Sequence, residues 1–146
     1  MADVVVRQVR TAGELLDAYA VRRTVFIVEQ GVPESIERDG SDETADHVVA
    51  YVGGVAAGAG RLVVDGDVAR VGRMAVRSAV RGQGIGSMLL RALEDIAGMR
   101  GCAQVELHAQ LHAAPFYRQL GYAAEGDVFA EAGIEHVAMR KLLPPR

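Results

Sequence analysis

Tryptophan is missing from this chain, and cysteine occurs once. A single thiol makes no internal disulfide and no metal cluster of its own. Cys102 stands among small residues, which marks it as a buried thiol rather than a nucleophile. No apolar run approaches the roughly 18 residues that a membrane-crossing helix needs. Met1-Ala2-Asp3 is not a basic segment leading into an apolar stretch, so no secretory signal is expected and the cytoplasm is the expected compartment. An excess of positive charge is absent too: 16 Lys and Arg face 19 Asp and Glu, a formal net charge of −3. Bulk electrostatics therefore disfavour nucleic acid and anionic membrane as partners, and any anion must be bound by local geometry. Histidines and carboxylates do not recur at metal-ligand spacing, so no metal is expected.

What is present is a globular composition, 50% apolar over 146 residues, which fits one domain spanning 1–146 with a real core. Val4 to Arg10 is β-branched and predicts a first strand. Thr11 with Glu14 three residues on is a capping box, opening a helix whose apolar face is Leu15, Leu16, Tyr19 and Ala20 and whose end falls near Val25 or Phe26. Gly31, Pro33 and the acidic stretch Glu34 to Asp46 predict a loop with one helical turn. His47 to Val52, Val55 to Val64 and Val68 to Val76 predict an antiparallel meander, turned at Gly53-Gly54 and Asp65-Gly66. Gly58 and Gly60 inside the second of these strands signal a bulge or a close backbone approach. Ile85, Met88, Leu89, Ala92, Leu93, Ile96 and Ala97 recur at helical spacing, with Gly101 as the stop. Ala103 to Ala109 is a strand, parallel to Val68–Val76 and joined to it by a right-handed crossover. Pro115 opens a short helix closed by Gly121. Tyr122 to Ala124 and His136 to Lys141 are the last strands.

Arg81-Gly82-Gln83-Gly84-Ile85-Gly86-Ser87 lies between the meander and the amphipathic helix. Glycines at alternate positions leave backbone N–H groups uncovered, and the following helix points its unpaired N–H groups and positive dipole end the same way. That arrangement predicts an anion site, most often a phosphate site. A dinucleotide fingerprint requires glycine or alanine further along and an opening strand–helix–strand unit, and the upstream meander is wrong for it. A P-loop requires a lysine that is absent here. A purely structural turn with helix-capping glycines stays open on the run alone.

The run, placed after Gly72-Arg73-Met74-Ala75-Val76, resembles the pyrophosphate motif of GNAT-type N-acetyltransferases. Ala114-Pro115-Phe116-Tyr117-Arg118-Gln119-Leu120-Gly121-Tyr122 resembles that superfamily's second signature, in the expected order. Arg22 to Gln30, Glu37 to Gly40, His108 to Gln110 and Ala132 to His136 are similar to the ElaA-like branch, although Glu135 stands where branch members often have proline. The resemblance implies an α/β fold: a mixed sheet of about seven strands, an antiparallel meander plus a splayed parallel pair, and about four helices. It implies acetyl-CoA as co-substrate and direct transfer to a primary amine, small molecule or peptide, in a monomer or homodimer. Main-chain groups near Met74, Ala75 and Val76 would pair with the pantetheine amides as an added strand does. The pyrophosphate would sit on Gly82, Gln83, Gly84, Ile85, Gly86 and Ser87, with Arg81 as charged donor and Arg77 either a second donor or solvated.

An amine with a pKa of about 10.4 is neutral only about 0.04% of the time at pH 7, so a base is useful. Glu29 and His136 are the expected candidates. Tyr117, a protonated phenol, suits the leaving thiolate as acid. Otherwise it is a core aromatic. His108 reads as a packed strand histidine, and His47 and His112 as loop or edge residues. The acidic stretch reads as a solvated loop, or as a lure for a cationic acceptor. A non-catalytic acyl-CoA-binding sensor or regulatory module is the competing reading.

Overall fold

The computed structural model describes residues 3–145. Its strands are β1 (Val4–Gln8), β2 (Asp46–Val52), β3 (Val55–Asp65), β4 (Val68–Val76), β5 (Gln104–Gln110), β6 (Ala123–Glu131) and β7 (Ile134–Leu142). They form one sheet in the order β1-β2-β3-β4-β5-β7-β6. Only β4 and β5 run parallel; every other neighbouring pair is antiparallel. The helices are α1 (Ala12–Arg22), the single turn α2 (Glu34–Glu37), α3 (Ile85–Met99) and α4 (Ala114–Gln119). The expected mixed sheet and its parallel pair are thus present.

The strand period of two divides the apolar residues between two cores. Val48, Ala50, Leu62, Val105, Leu107 and Met139 pack on the side of α3, whose Leu89, Leu90, Leu93 and Ile96 are buried. Each such side chain contributes roughly 1.5–3 kcal/mol. Val49, Ala59 and Ala75 pack on the other side with Ala18, Val21 and Val25. Gly58 and Gly60 explain how α3 lies so close. A Cβ at Gly58 would stand 2.8 Å from Leu89 Cδ1, and one at Gly60 would stand 2.9 Å from Leu93 Cδ1.

Three expectations need correction. The capping box at Thr11 and Glu14 is formed, but the inward residues of α1 are Ala18, Val21 and Arg22, whereas Leu16 is 67% exposed. Small residues let the helix sit low on the sheet, and an arginine is drawn inward by buried carboxylates. The helix also does not stop at Phe26. It continues over Arg23–Glu29 as a π-helix, with Gln30 N–H donating to the Val25 carbonyl. The β-branched run Thr24, Val25, Ile27, Val28 fits an α-helix poorly, and the wider turn keeps the bonds going. Finally, β6 extends far beyond Ala124. A register shift between Glu125 and Phe129 absorbs Gly126 and Asp127, and Ala132-Gly133, both at positive φ, close a two-residue hairpin into β7. That turn is the local shape before His136.

Candidate active site

β4 and β5 pair only as far as Val71 and Leu107. Beyond that point both strands continue, unpaired to each other, so the sheet opens. A bulge in β4 accompanies the opening: between the pairs Ala59–Ala75 and Arg61–Gly72, β4 carries one residue more than β3. Arg73 sits in this bulge at φ 54°, a strained position for a side-chain-bearing residue. Its guanidinium is held by the carbonyls of Ile36 and Glu37 at 3.1 Å each.

The opening is a cavity of about 790 Å³ whose lining includes Met74, Ala75, Val76, Arg81, Tyr117, Glu29 and His136. The structure therefore brings these sequence-predicted residues together from β4, the loop between β4 and α3, the π-helix, α4 and β7. Gly82 to Ser87 lie outside its lining. Gly82, at φ 82°, and Gly84, at φ 81°, are exposed, and a Cβ built on either meets nothing within 4 Å. Gly84 is the N-cap of α3, without side-chain capping, and the first helical bond runs from Met88 N–H to the Gly84 carbonyl. The N–H groups of Ile85, Gly86 and Ser87 precede that bond and so have no partner within the helix. Gly86 has a different reason to be glycine: a Cβ there would stand 3.2 Å from the Phe116 ring. It lets α4 pack on the start of α3.

Arg81 does not project freely. Its Nε donates to the Val76 carbonyl at 2.8 Å and its Nη2 to Glu29 at 2.8 Å. One of the expected pantetheine partners and one of the expected bases are thus both engaged by the same guanidinium. Arg77 donates to the Ala56 carbonyl and to Thr24 Oγ1, tying β3 to the π-helix. Tyr117 is 8% exposed, and its hydroxyl makes no hydrogen bond among the described residues. Desolvation pushes its phenol up to about 12. Phe116 and Tyr122 hold its ring edge-on.

The acidic stretch is only in part a solvated loop: Glu34, Asp39 and Glu43 are exposed, but two of its carboxylates are buried. Glu37 is 2% and Asp42 6% exposed. Arg22 bonds both, at 2.7 Å to Glu37 and 2.8 Å to Asp42. Arg61 bonds Asp42 at 3.0 Å and Asp39 at 2.7 and 2.9 Å. Burial alone raises the Asp42 carboxyl, but Arg22 and Arg61 outweigh it and hold the group at about 2. His47 is likewise no edge residue: it is 6% exposed, with Nε2 2.9 Å from the Asp42 carbonyl oxygen. The burial of Arg22 in a helix and Arg61 in a strand accounts for this arrangement, because a buried guanidinium demands carboxylates. Cys102 is buried as expected, and burial is the main cause that raises its thiol.

A GNAT acetyltransferase domain model matches residues 9–143. The chain belongs to the GNAT family. The N-acetyltransferase YjcF of Bacillus subtilis, itself uncharacterized, is 36% identical over 129 residues, which is 88% of this chain and 92% of that protein. The crystal structure of an acyl-CoA N-acyltransferase from Pseudomonas aeruginosa superposes with a TM-score of 0.82 at 32% identity, covering 97% of this chain and 99% of that one. ElaA of Escherichia coli is 29% identical over 137 residues, 90% of this chain and 89% of that protein. An acyltransferase domain of this family, with the ElaA-like resemblance, is thereby shown.

Proposed function

We propose that this GNAT domain moves an acetyl group from acetyl-CoA to a primary amine by direct attack. The observation that carries the reading is the opened β4–β5 seam ending at an uncapped helix N-terminus. Pantetheine is an extended chain with amides, and the edge of β4 that faces the opening, at Met74 and Val76 on either side of the β3-paired Ala75, offers main-chain partners to it. Its pyrophosphate reaches the N–H groups from Gly82 to Ser87, where no side chain stands in the way at Gly82 or Gly84. Arg81 leaves Glu29 and the Val76 carbonyl for the phosphate, which frees both for their own roles. The resident thioester then lies beside Tyr117, whose protonated phenol supplies a proton to the departing sulfur. Of the groups expected for the proton-accepting step, Glu29 and His136 share the cavity wall with Tyr117.

Calorimetry with acetyl-CoA, followed by a screen of spermidine and lysine peptides with a free-thiol readout, tests the reading. Gly84→Val places a side chain where the pyrophosphate should rest, and weakens acetyl-CoA binding more than about tenfold, a loss above about 1.4 kcal/mol. Unchanged affinity in a folded Gly84→Val protein overturns the site. Binding without transfer to any amine turns the reading toward a sensor of acyl-CoA.

A further inference from the structure

The β6–β7 hairpin carries a carboxylate that faces two histidines. His108 Nδ1 lies 2.9 Å from Glu131 Oε1, and His136 Nε2 lies 3.7 Å from Glu131 Oε2. Phe129 stands edge-on to the His108 ring at 4.9 Å and stacks on the His136 ring at 6.0 Å. All three polar groups line the main cavity, and His108 and Glu131 also line a smaller one of about 260 Å³ beside it.

The two histidines are not equivalent. His136 Nδ1 is 2.7 Å from the Ile134 carbonyl oxygen, its side chain is only 8% exposed, and its remaining nitrogen faces Glu131. His108 is 44% exposed. A carboxylate only accepts, so the proton of neutral His108 is on Nδ1, donated to Glu131. The lone pair is then on Nε2, which has no partner among the described residues. A carboxylate that fixes the tautomer and stabilises the imidazolium is what a histidine base requires.

We infer that His108 is the proton acceptor for the amine and that Glu131 is its positioning residue. The inference rests on the acetyl-transfer reading above. The acceptor arrives as an ammonium ion, and one of its protons goes to His108 Nε2 and on to solvent. The freed lone pair attacks the thioester carbon. The C–N bond forms and the C–S bond breaks, with its electron pair on sulfur, which takes the proton of Tyr117. The second proton lost from nitrogen restores the phenol through solvent. One proton is released per turnover.

Both side chains are about half exposed, so their replacement leaves the core intact. His108→Asn and Glu131→Gln are compared with His136→Ala and Glu29→Gln, using acetyl-CoA and the best amine of the screen. His108→Asn lowers kcat by roughly 10²–10⁴-fold. Glu131→Gln lowers it at least tenfold. KM for acetyl-CoA stays within twofold in both, and the two comparison variants lose less. Nitrogen-15 NMR of the wild type places the His108 proton on Nδ1. Wild-type kcat in His108→Asn, or a proton on Nε2, overturns this inference alone. A wild type that binds acetyl-CoA but acetylates no amine overturns the proposed function and this inference with it.

Discussion

Tyr117 is buried in an aromatic cluster yet its hydroxyl has no hydrogen-bond partner among the described residues, and its phenol is pushed up to about 12 by desolvation. A packing tyrosine normally finds a partner for its hydroxyl. A proton donor waiting for a thiolate needs none. Tyr117→Phe therefore lowers kcat by about 10²–10⁴-fold and leaves acetyl-CoA affinity within about twofold. Stopped-flow or steady-state turnover beside calorimetry measures both, and a wild-type rate in the mutant makes Tyr117 a packing residue. At this scale the motifs singled out Arg81 and Tyr117, and both line the cavity. The sequence was silent on Glu131, because Gly126-Asp127 resembles a turn and the register shift that carries the strand onward to Glu131 leaves no periodic trace. It also grouped three glycines under one purpose, although Gly86 answers to the Phe116 ring.

Elements show where composition misleads. Six carboxylates between Glu34 and Asp46 suggest a hydrated loop, yet Glu37 and Asp42 lie under it, paired with Arg22 and Arg61. The partners sit far away in sequence, so no local pattern announces them. This ionic cluster fixes α2 and the bulge of β4 against α1, and so holds one wall of the cavity. Removing one member leaves a buried guanidinium uncompensated. Asp42→Asn costs about 3–5 kcal/mol by urea denaturation at neutral pH. The acid limb follows from the same group. Its folded value of about 2 is below the unfolded value of about 3.9, so its contribution is complete above about pH 4 and disappears as pH falls through 2. Asp39, lowered chiefly by its Arg61 hydrogen bond, adds in the same sense. The wild type therefore loses stability steeply between pH 4 and 2, and Asp42→Asn shows a shallower fall. Equal slopes in the two proteins remove Asp42 from the acid transition.

Over the whole molecule, one half of the sheet is covered by α1 and α3 and built tightly, with glycines where the helix approaches, while the seam after Val71 and Leu107 is left open. The meander of β2, β3 and β4 and the crossover to β5 were legible from hydrophobic periods and turn residues, whereas the places of β1, β6 and β7 in the sheet were not. The opening was expected only through the family resemblance and not from the pattern of residues, since it accompanies a bulge at Arg73 whose guanidinium is bonded to Ile36, Glu37 and Asp39, distant in sequence. An open seam leaves edge groups of β4 to water, and a bound pantetheine would take the place of the missing neighbour. Hydrogen exchange with and without saturating acetyl-CoA reads this directly. Amides of Met74 and Val76, which face the opening, and of Gly82 to Ser87 slow, whereas amides between β6 and β7 beside the hairpin turn keep their rates, because Phe129–His136, Ala130–Glu135 and Glu131–Ile134 are paired without ligand. At a hundredfold excess over Kd the folded state also gains about 2.7 kcal/mol, so thermal unfolding moves upward. Protection confined to the β6–β7 hairpin, or none at saturation, places the coenzyme elsewhere on the fold.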